Sequence, residues 1–268
     1  MARQADALDV RWLLVGAEAR DLVLVGLGAA TSSRRTHDID AAIQLTSWDE
    51  FHRLRDRLVR VEHAHVDPEN LHRISFEGGV SIDLIPFGPI AQGNVLNWPP
   101  PDARQFDVTG LIEAQASSTE VRLADDFSVR LPALELQILL KLFAWRDRHL
   151  DRPVHDSHEL IDLLRCIDSA IEDAEMYDDY FAVVERNDHD LELAKIELCG
   201  ARLSRTLSEE ARGPLVELLR AEIDEDGKLL LLREIRELPR AMDILAALLR
   251  GASQSPETTT WNYTDVGV

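Results

Sequence analysis

The chain has 268 residues, of which 45% are hydrophobic, and its 49 acidic against 29 basic side chains give a formal charge of −20. That length and apolar content suit one large or two ordinary folded domains and exclude a disordered chain. The acidity excludes a general nucleic-acid coat, whose phosphate contacts need basic surface, but leaves room for a local patch that holds a nucleotide or one RNA end.

The N-terminal stretch MARQADALDV has no long apolar run, so no signal peptide is expected, and no later segment has the length of a membrane span. Trp12 to Val15 (WLLV) reads as a short strand ending at Gly16, followed by a helix that weakens near Gly26 and Gly28. DIDAAI, from Asp38, reads as a strand. Ser47 and Glu50 have capping-box spacing, and Phe51, Leu54 and Leu58 line one face of the helix that follows. LHRISF and VSIDLIPF flank Glu77-Gly78-Gly79, a hairpin signal. Residues 89–105 read as a proline-rich loop, and a second hairpin turns at Asp125-Asp126.

From Pro132 onward five stretches carry apolar residues at helical spacing: ALELQILLKLFAWRDRHL, SHELIDLLRCIDSAI, DLELAKIELCGARLSRTL, GPLVELLRAEI and LPRAMDILAALLR. IEDAEMYDDYFAVVERNDHD carries much of the negative charge and reads as a solvated helical face. Cys166 and Cys199 lack CxxC spacing and read as reduced core residues of a cytoplasmic protein; with no HExxH, a zinc site is not expected. The expected fold is α+β: a small mixed β-sheet domain with flanking helices over residues 1–130, an all-helical domain over 131–250, and an extended polar tail over 251–268.

Three carboxylates invite chemistry. Asp38 and Asp40 lie one residue apart on a strand and so share a face. Such a pair is either hydrated at a strand end or separated by a cation, and hard divalent cations take carboxylate oxygens. Asp83 sits mid-strand among Ile82 and Leu84, where an unpaired charge is costly; it needs either a salt bridge, for which Arg73 is available, or a metal. Gly16 and Ala17 open a helix whose free N–H groups and dipole suit an anion. Lys141, Trp145 and Arg148 share a helical face that either snorkels to solvent or holds phosphates. Arg34 and Arg35 precede the aspartate pair and are either solvated or within reach of a triphosphate.

LLVGAEARDLVL, RRTHDIDAAI and HRISFEGGVSIDLIPFG together resemble the nucleotidyltransferase superfamily related to DNA polymerase beta. IDLIPFGPI, NWPP and LPALELQILLKLFAWRDR extend the likeness, over roughly residues 10–165, to the AbiEii type, toxin-like enzymes of abortive-infection and toxin–antitoxin systems. The resemblance implies a sheet domain that binds NTP and metal. It implies that Asp38, Asp40 and Asp83 are catalytic and ligate two magnesium ions, manganese being an alternative. It assigns nucleotide binding to Gly16, Ala17, Arg20, Arg35 and Lys141. The reaction implied moves an NMP from an NTP to a hydroxyl on a tRNA 3′ end, a protein or a small molecule, with an antitoxin as a further partner and no membrane involvement. Two departures stand out: Ala17 replaces a Ser or Gly, and His155-Asp156 replaces a Lys-Asp, exchanging a fixed charge for one that titrates near neutrality. The rival expectation is a non-catalytic nucleotide-sensing or antitoxin-binding module on the same fold.

Overall fold

The computed structural model describes residues 1–29, 38–68, 70–100, 104–149, 155–224 and 226–255, and His155 by its backbone alone. The chain divides into two compact units, Met1–Glu159 and Leu160–Val268.

In the first unit a short helix α1 (Ala2–Asp6) precedes β1 (Trp12–Val15). Gly16, at φ 72°, turns the chain directly into α2 (Gly16–Gly26), a backbone angle that a residue with a Cβ rarely adopts. β2 (Asp38–Gln44) and α3 (Trp48–Val61) follow. Ser47 caps α3 by accepting from the Glu50 N–H at 3.4 Å, while the Glu50 carboxylate reaches back to the Thr46 N–H, one residue before the cap, at 2.7 Å. Phe51, Leu54 and Leu58 are fully buried, each contributing roughly 1.5–3 kcal/mol of apolar transfer.

β3 (His65–Val66), β4 (Arg73–Ser75) and β5 (Ser81–Phe87) complete a five-stranded sheet of order β1-β2-β5-β4-β3. β2 and β5 run parallel and the other neighbours antiparallel, so the sheet is mixed, as expected. Gly78 and Gly79, both at positive φ, make the turn between β4 and β5.

The stretch expected as a proline-rich loop holds a small two-stranded ladder, β6 (Val95–Asn97) with β7 (Gln105–Asp107). Leu96 and Trp98 are buried, and Trp98 meets Trp48, Phe51 and Phe106 in a ring cluster, so tertiary aromatic contacts organise this segment despite its prolines. After α4 (Leu111–Ala116), β8 (Thr119–Ala124) and β9 (Phe127–Leu131) form the second expected hairpin. α5 (Leu134–Arg148) closes the unit, and α6 (His155–Ala170) begins in it.

The second unit continues α6 with α7 (Asp173–Asp178), α8 (Phe181–Arg186), α9 (Leu191–Thr206), α10 (Glu209–Ile223), α11 (Leu230–Glu234) and α12 (Ala241–Ala252). The acidic stretch is two short helices rather than one continuous face, because Met176, Tyr180, Val183 and Val184 turn inward. α10 starts four residues before the Gly213-Pro214 expected to open it, so the proline lies inside the helix. α9 and α12 cross closely. A Cβ on Gly251 would lie 2.0 Å from the Glu197 carbonyl oxygen, and one on Gly200 would lie 2.3 Å from the Leu248 carbonyl oxygen. Cys166 and Cys199 are buried and free. No helix among the described residues is long and apolar enough to cross a membrane.

Candidate active site

β2 and β5 pair so that Asp38 registers with Ser81 and Asp40 with Asp83. Registered residues on neighbouring strands point to the same face, and alternation puts Asp38 beside Asp40 on it. The three aspartates therefore share one face of the sheet. Gly16 adjoins them: a Cβ there would fall 2.1 Å from Asp40 Oδ2. The start of α2 is thus set against the Asp40 carboxylate. Val15, at the N-cap, provides no side-chain acceptor to the first turn of α2.

A fourth residue enters from β4. Arg73 registers with Asp83. Its Nε donates to Asp83 Oδ1 at 2.7 Å and its Nη2 to Asp83 Oδ2 at 2.7 Å, a forked pair, while Nη2 also donates to Asp38 Oδ2 at 2.8 Å. The hydrogen bonds to Asp83 raise the guanidinium pKa above its usual range. The salt bridge weighed for Asp83 is thus present, and it extends to Asp38. Asp40 has no direct ion-pair partner among the described residues. Burial first, and then the Asp83 charge, push its carboxyl up to about 7, against the lowering influence of Lys141 and Arg148.

Lys141 is buried in ion pairs rather than snorkelling to solvent. Its Nζ donates to Asp156 Oδ1 at 3.1 Å and makes a close ion pair with Glu159 Oε2. Asp156 also receives Arg148 Nη2 at 2.9 Å, and Glu159 pairs with Arg20 Nη1 at 3.1 Å. Arg20 is buried and forks onto Asp21 Oδ1 at 2.7 and 3.0 Å. The result is an alternation of charge, Arg20–Glu159–Lys141–Asp156–Arg148, joining α2, α5 and α6, buried from Arg20 to Asp156 and reaching the surface at Arg148. Lys141 and Arg148 are near enough to Asp40 to lower its pKa, so the chain of charge borders the aspartate face.

Glu159 was not anticipated, although Asp156 and Glu159 stand at i, i+3 in HDSHEL, the spacing that places two acids on one helix face. Glu18, in the first turn of α2, raises the Asp40 pKa and was also missed. Trp145 is buried and stacks on His149 at 4.9 Å. Arg35 and the His155 side chain lie outside the described residues, as does the tail from residue 256.

A divalent ion suits the donors in kind, since three aspartates on one face offer hard oxygen ligands. A buried carboxylate driven toward neutrality beside another is the condition such an ion relieves. Arg73 is the cation standing between Asp38 and Asp83, and among the described residues no group of three or more His, Cys, Asp or Glu side chains is arranged to hold a metal as it stands. A metal here would share those two carboxylates with Arg73.

No family model matches the sequence. No curated protein matches it. Among solved structures, the chain is similar to an antigenic nucleotidyltransferase-like protein from Paracoccidioides brasiliensis, at 17% identity and a TM-score of 0.42 over 72% of this chain and 88% of that one. It is also similar to the antibiotic-resistance factor ANT(2'')-Ia, at 17% identity and a TM-score of 0.38 over 70% of this chain and 93% of that one. Likeness at this level carries no substrate and no catalytic residue across.

Proposed function

We propose that the chain is a metal-dependent nucleotidyltransferase that moves a nucleoside monophosphate from an NTP to a hydroxyl and releases pyrophosphate. The observation that supports this reading best is the register of Asp40 with Asp83 across parallel strands, with Asp38 on the same face and the start of α2 against Asp40. When bound, two divalent ions would neutralise the transferring phosphoryl group and activate the attacking hydroxyl. Asp38 and Asp40 would hold both ions and Asp83 the ion nearer the acceptor. Gly16 and Ala17 would offer backbone N–H groups to the triphosphate, the glycine permitting close approach. Ala17 brings no hydroxyl, so only main-chain donors act there. Lys141 and Arg148, held by Asp156 and Glu159, would set the positive field beside the nucleotide. Arg73 would orient Asp83 and Asp38. The acceptor is a tRNA 3′ end, a protein or a small molecule, and the charge of −20 weighs against the RNA. Toxin activity with a cognate antitoxin belongs to this reading as its AbiEii-type form.

One observation favours a second reading, a nucleotide-sensing module without catalysis: Arg73 already neutralises two of the three aspartates. Incubation of the chain with each labelled NTP, magnesium and total cellular RNA and protein separates the two. Label in RNA, protein or a small product, lost with Asp40→Asn, is the expected result. NTP binding without label transfer under every condition would leave the sensing module.

A further inference from the structure

The sheet has a second face. Ile39 and Ile82 alternate with the aspartates, so they, with Trp12 and Ala41, point away from the candidate active site. On that side a groove of about 1670 Å³ opens within the first unit, lined from α1, β1, α2, the sheet, α4 and the β8–β9 hairpin. β9 covers part of this face through Val129 and Leu131, which pack with Leu14 and Ala19, yet Trp12 and Ile39 stay partly exposed. At the rim Val25, Ile112 and Phe127 are 62%, 54% and 42% exposed, an unusual concentration of large apolar side chains in water.

Two features say what belongs there. The groove exceeds the roughly 300–1,000 Å³ of a small-molecule pocket, so its occupant is a stretch of polypeptide. Its lining carries eight carboxylate side chains against four arginines and no lysine, so that stretch carries positive charge. A second copy of this chain, itself at −20 and bearing the same acidic groove, is electrostatically the wrong occupant. We infer that the groove on the back of the sheet is a docking site for a cationic amphipathic segment of a partner protein, with apolar side chains seated on Trp12, Ile39 and Ile82 and Lys or Arg side chains against Glu120, Asp125 and Asp126. An amphipathic helix laid in a groove makes this pattern of contact. The inference does not rest on the chemistry of the opposite face.

The test uses the full chain and three labelled peptides of about 18 residues, or five helical turns: Leu/Lys with leucines at helical spacing, Leu/Glu in the same pattern, and Leu/Lys with the pattern scrambled. Fluorescence anisotropy is expected to show binding of the patterned Leu/Lys peptide, at least about tenfold tighter than either control and weakening with salt. Ile112→Ser with Phe127→Ser, and separately Asp125→Lys with Asp126→Lys, are expected to weaken it by about tenfold or more, equivalent to about 1.4 kcal/mol. Asp49→Lys with Asp56→Lys, an equal change of charge on α3, is expected to leave it unchanged. These side chains are exposed, and an unaltered circular dichroism spectrum confirms that each variant is folded. Equal binding of patterned and scrambled peptides, or equal weakening by the α3 pair, would reduce the effect to diffuse attraction by an acidic surface and overturn the inference. So would no binding at all. Concentration-dependent dimerisation in sedimentation velocity, abolished by the Ile112 and Phe127 substitutions, would overturn it in favour of a second copy.

Discussion

Asp40 on β2 faces Asp83 on β5 directly across a pair of parallel strands, and among the described residues an arginine, Arg73, pairs with Asp83 and none with Asp40. Two like charges so placed are costly unless a cation or a proton intervenes. Burial first, and then the Asp83 charge, push the Asp40 carboxyl up to about 7, so that a proton competes for this position near neutral pH.

A pH dependence of stability follows. An unfolded aspartate titrates near ~3.9, so the folded Asp40 holds its proton more tightly than the unfolded chain does. Its contribution to stability is complete below about pH 3.9 and is lost as pH rises through about 7. In protein stripped of metal, Asp40→Asn never ionises at this position. Its melting temperature is expected to exceed that of the wild type by a margin that opens above about pH 4 and levels off above about pH 7. A margin of a few degrees corresponds to on the order of 1 kcal/mol in a chain of this size. Thermal melts of both proteins across that range provide the check, and a margin independent of pH would show that Asp40 ionises normally.

Gly16 and Gly26 mark the two ends of α2 and should respond oppositely to alanine. At Gly16 the backbone has φ 72° and a Cβ would strike Asp40 Oδ2, so Gly16→Ala is expected to cost about 1–3 kcal/mol and to abolish nucleotide-dependent thermal shifts. At Gly26 nothing lies within 4 Å, and Gly26→Ala is expected to be neutral or to stabilise by up to about 1 kcal/mol. Denaturant unfolding with and without NTP and magnesium distinguishes them.

Glu159 links Arg20 to Lys141 inside the first unit. Glu159→Gln keeps the shape and removes the charge, leaving two buried cations to lean on Asp21 and Asp156. The expected loss is about 1–3 kcal/mol, less than for a pair with no second partner. Lys141→Met in the same background should recover part of it, because one uncompensated cation is gone. A double-mutant cycle measured by denaturant unfolding gives the coupling, and strict additivity would show that the two side chains do not interact.

In the second unit the crossing of α9 and α12 depends on glycine. Gly251→Ala would set a Cβ 2.0 Å from the Glu197 carbonyl oxygen and 2.6 Å from the Ala201 nitrogen, backbone atoms that can move only with their helix. The expected cost is about 2–3 kcal/mol. Gly213→Ala, with nothing within 4 Å inside α10, is the matched control and is expected to be neutral or mildly stabilising.

Much of this was legible in the chain because it is local. The period-two pattern around Asp38 and Asp83, the turn at Gly78-Gly79, the Ser47 cap and the helical spacing from Pro132 onward depend on neighbours in sequence, and strands, turn, cap and helices formed at those stretches, with only the start of α10 displaced. The shared face of Asp38 and Asp40 is a property of any strand. What lies opposite them is not. That Asp40 registers with Asp83, that Arg73 spans Asp83 and Asp38, and that Lys141 is buried between Asp156 and Glu159 depend on which strands and helices come together. The β6–β7 ladder and the early start of α10 escaped for the same reason: Trp98 finds its aromatic partners only in the folded unit, and Pro214 is tolerated inside a helix whose Ala211, Leu215 and Leu219 are buried. Local backbone preference thus selected the elements, while the charge on each carboxylate was settled by burial and Coulomb energy, which exist only once distant segments meet.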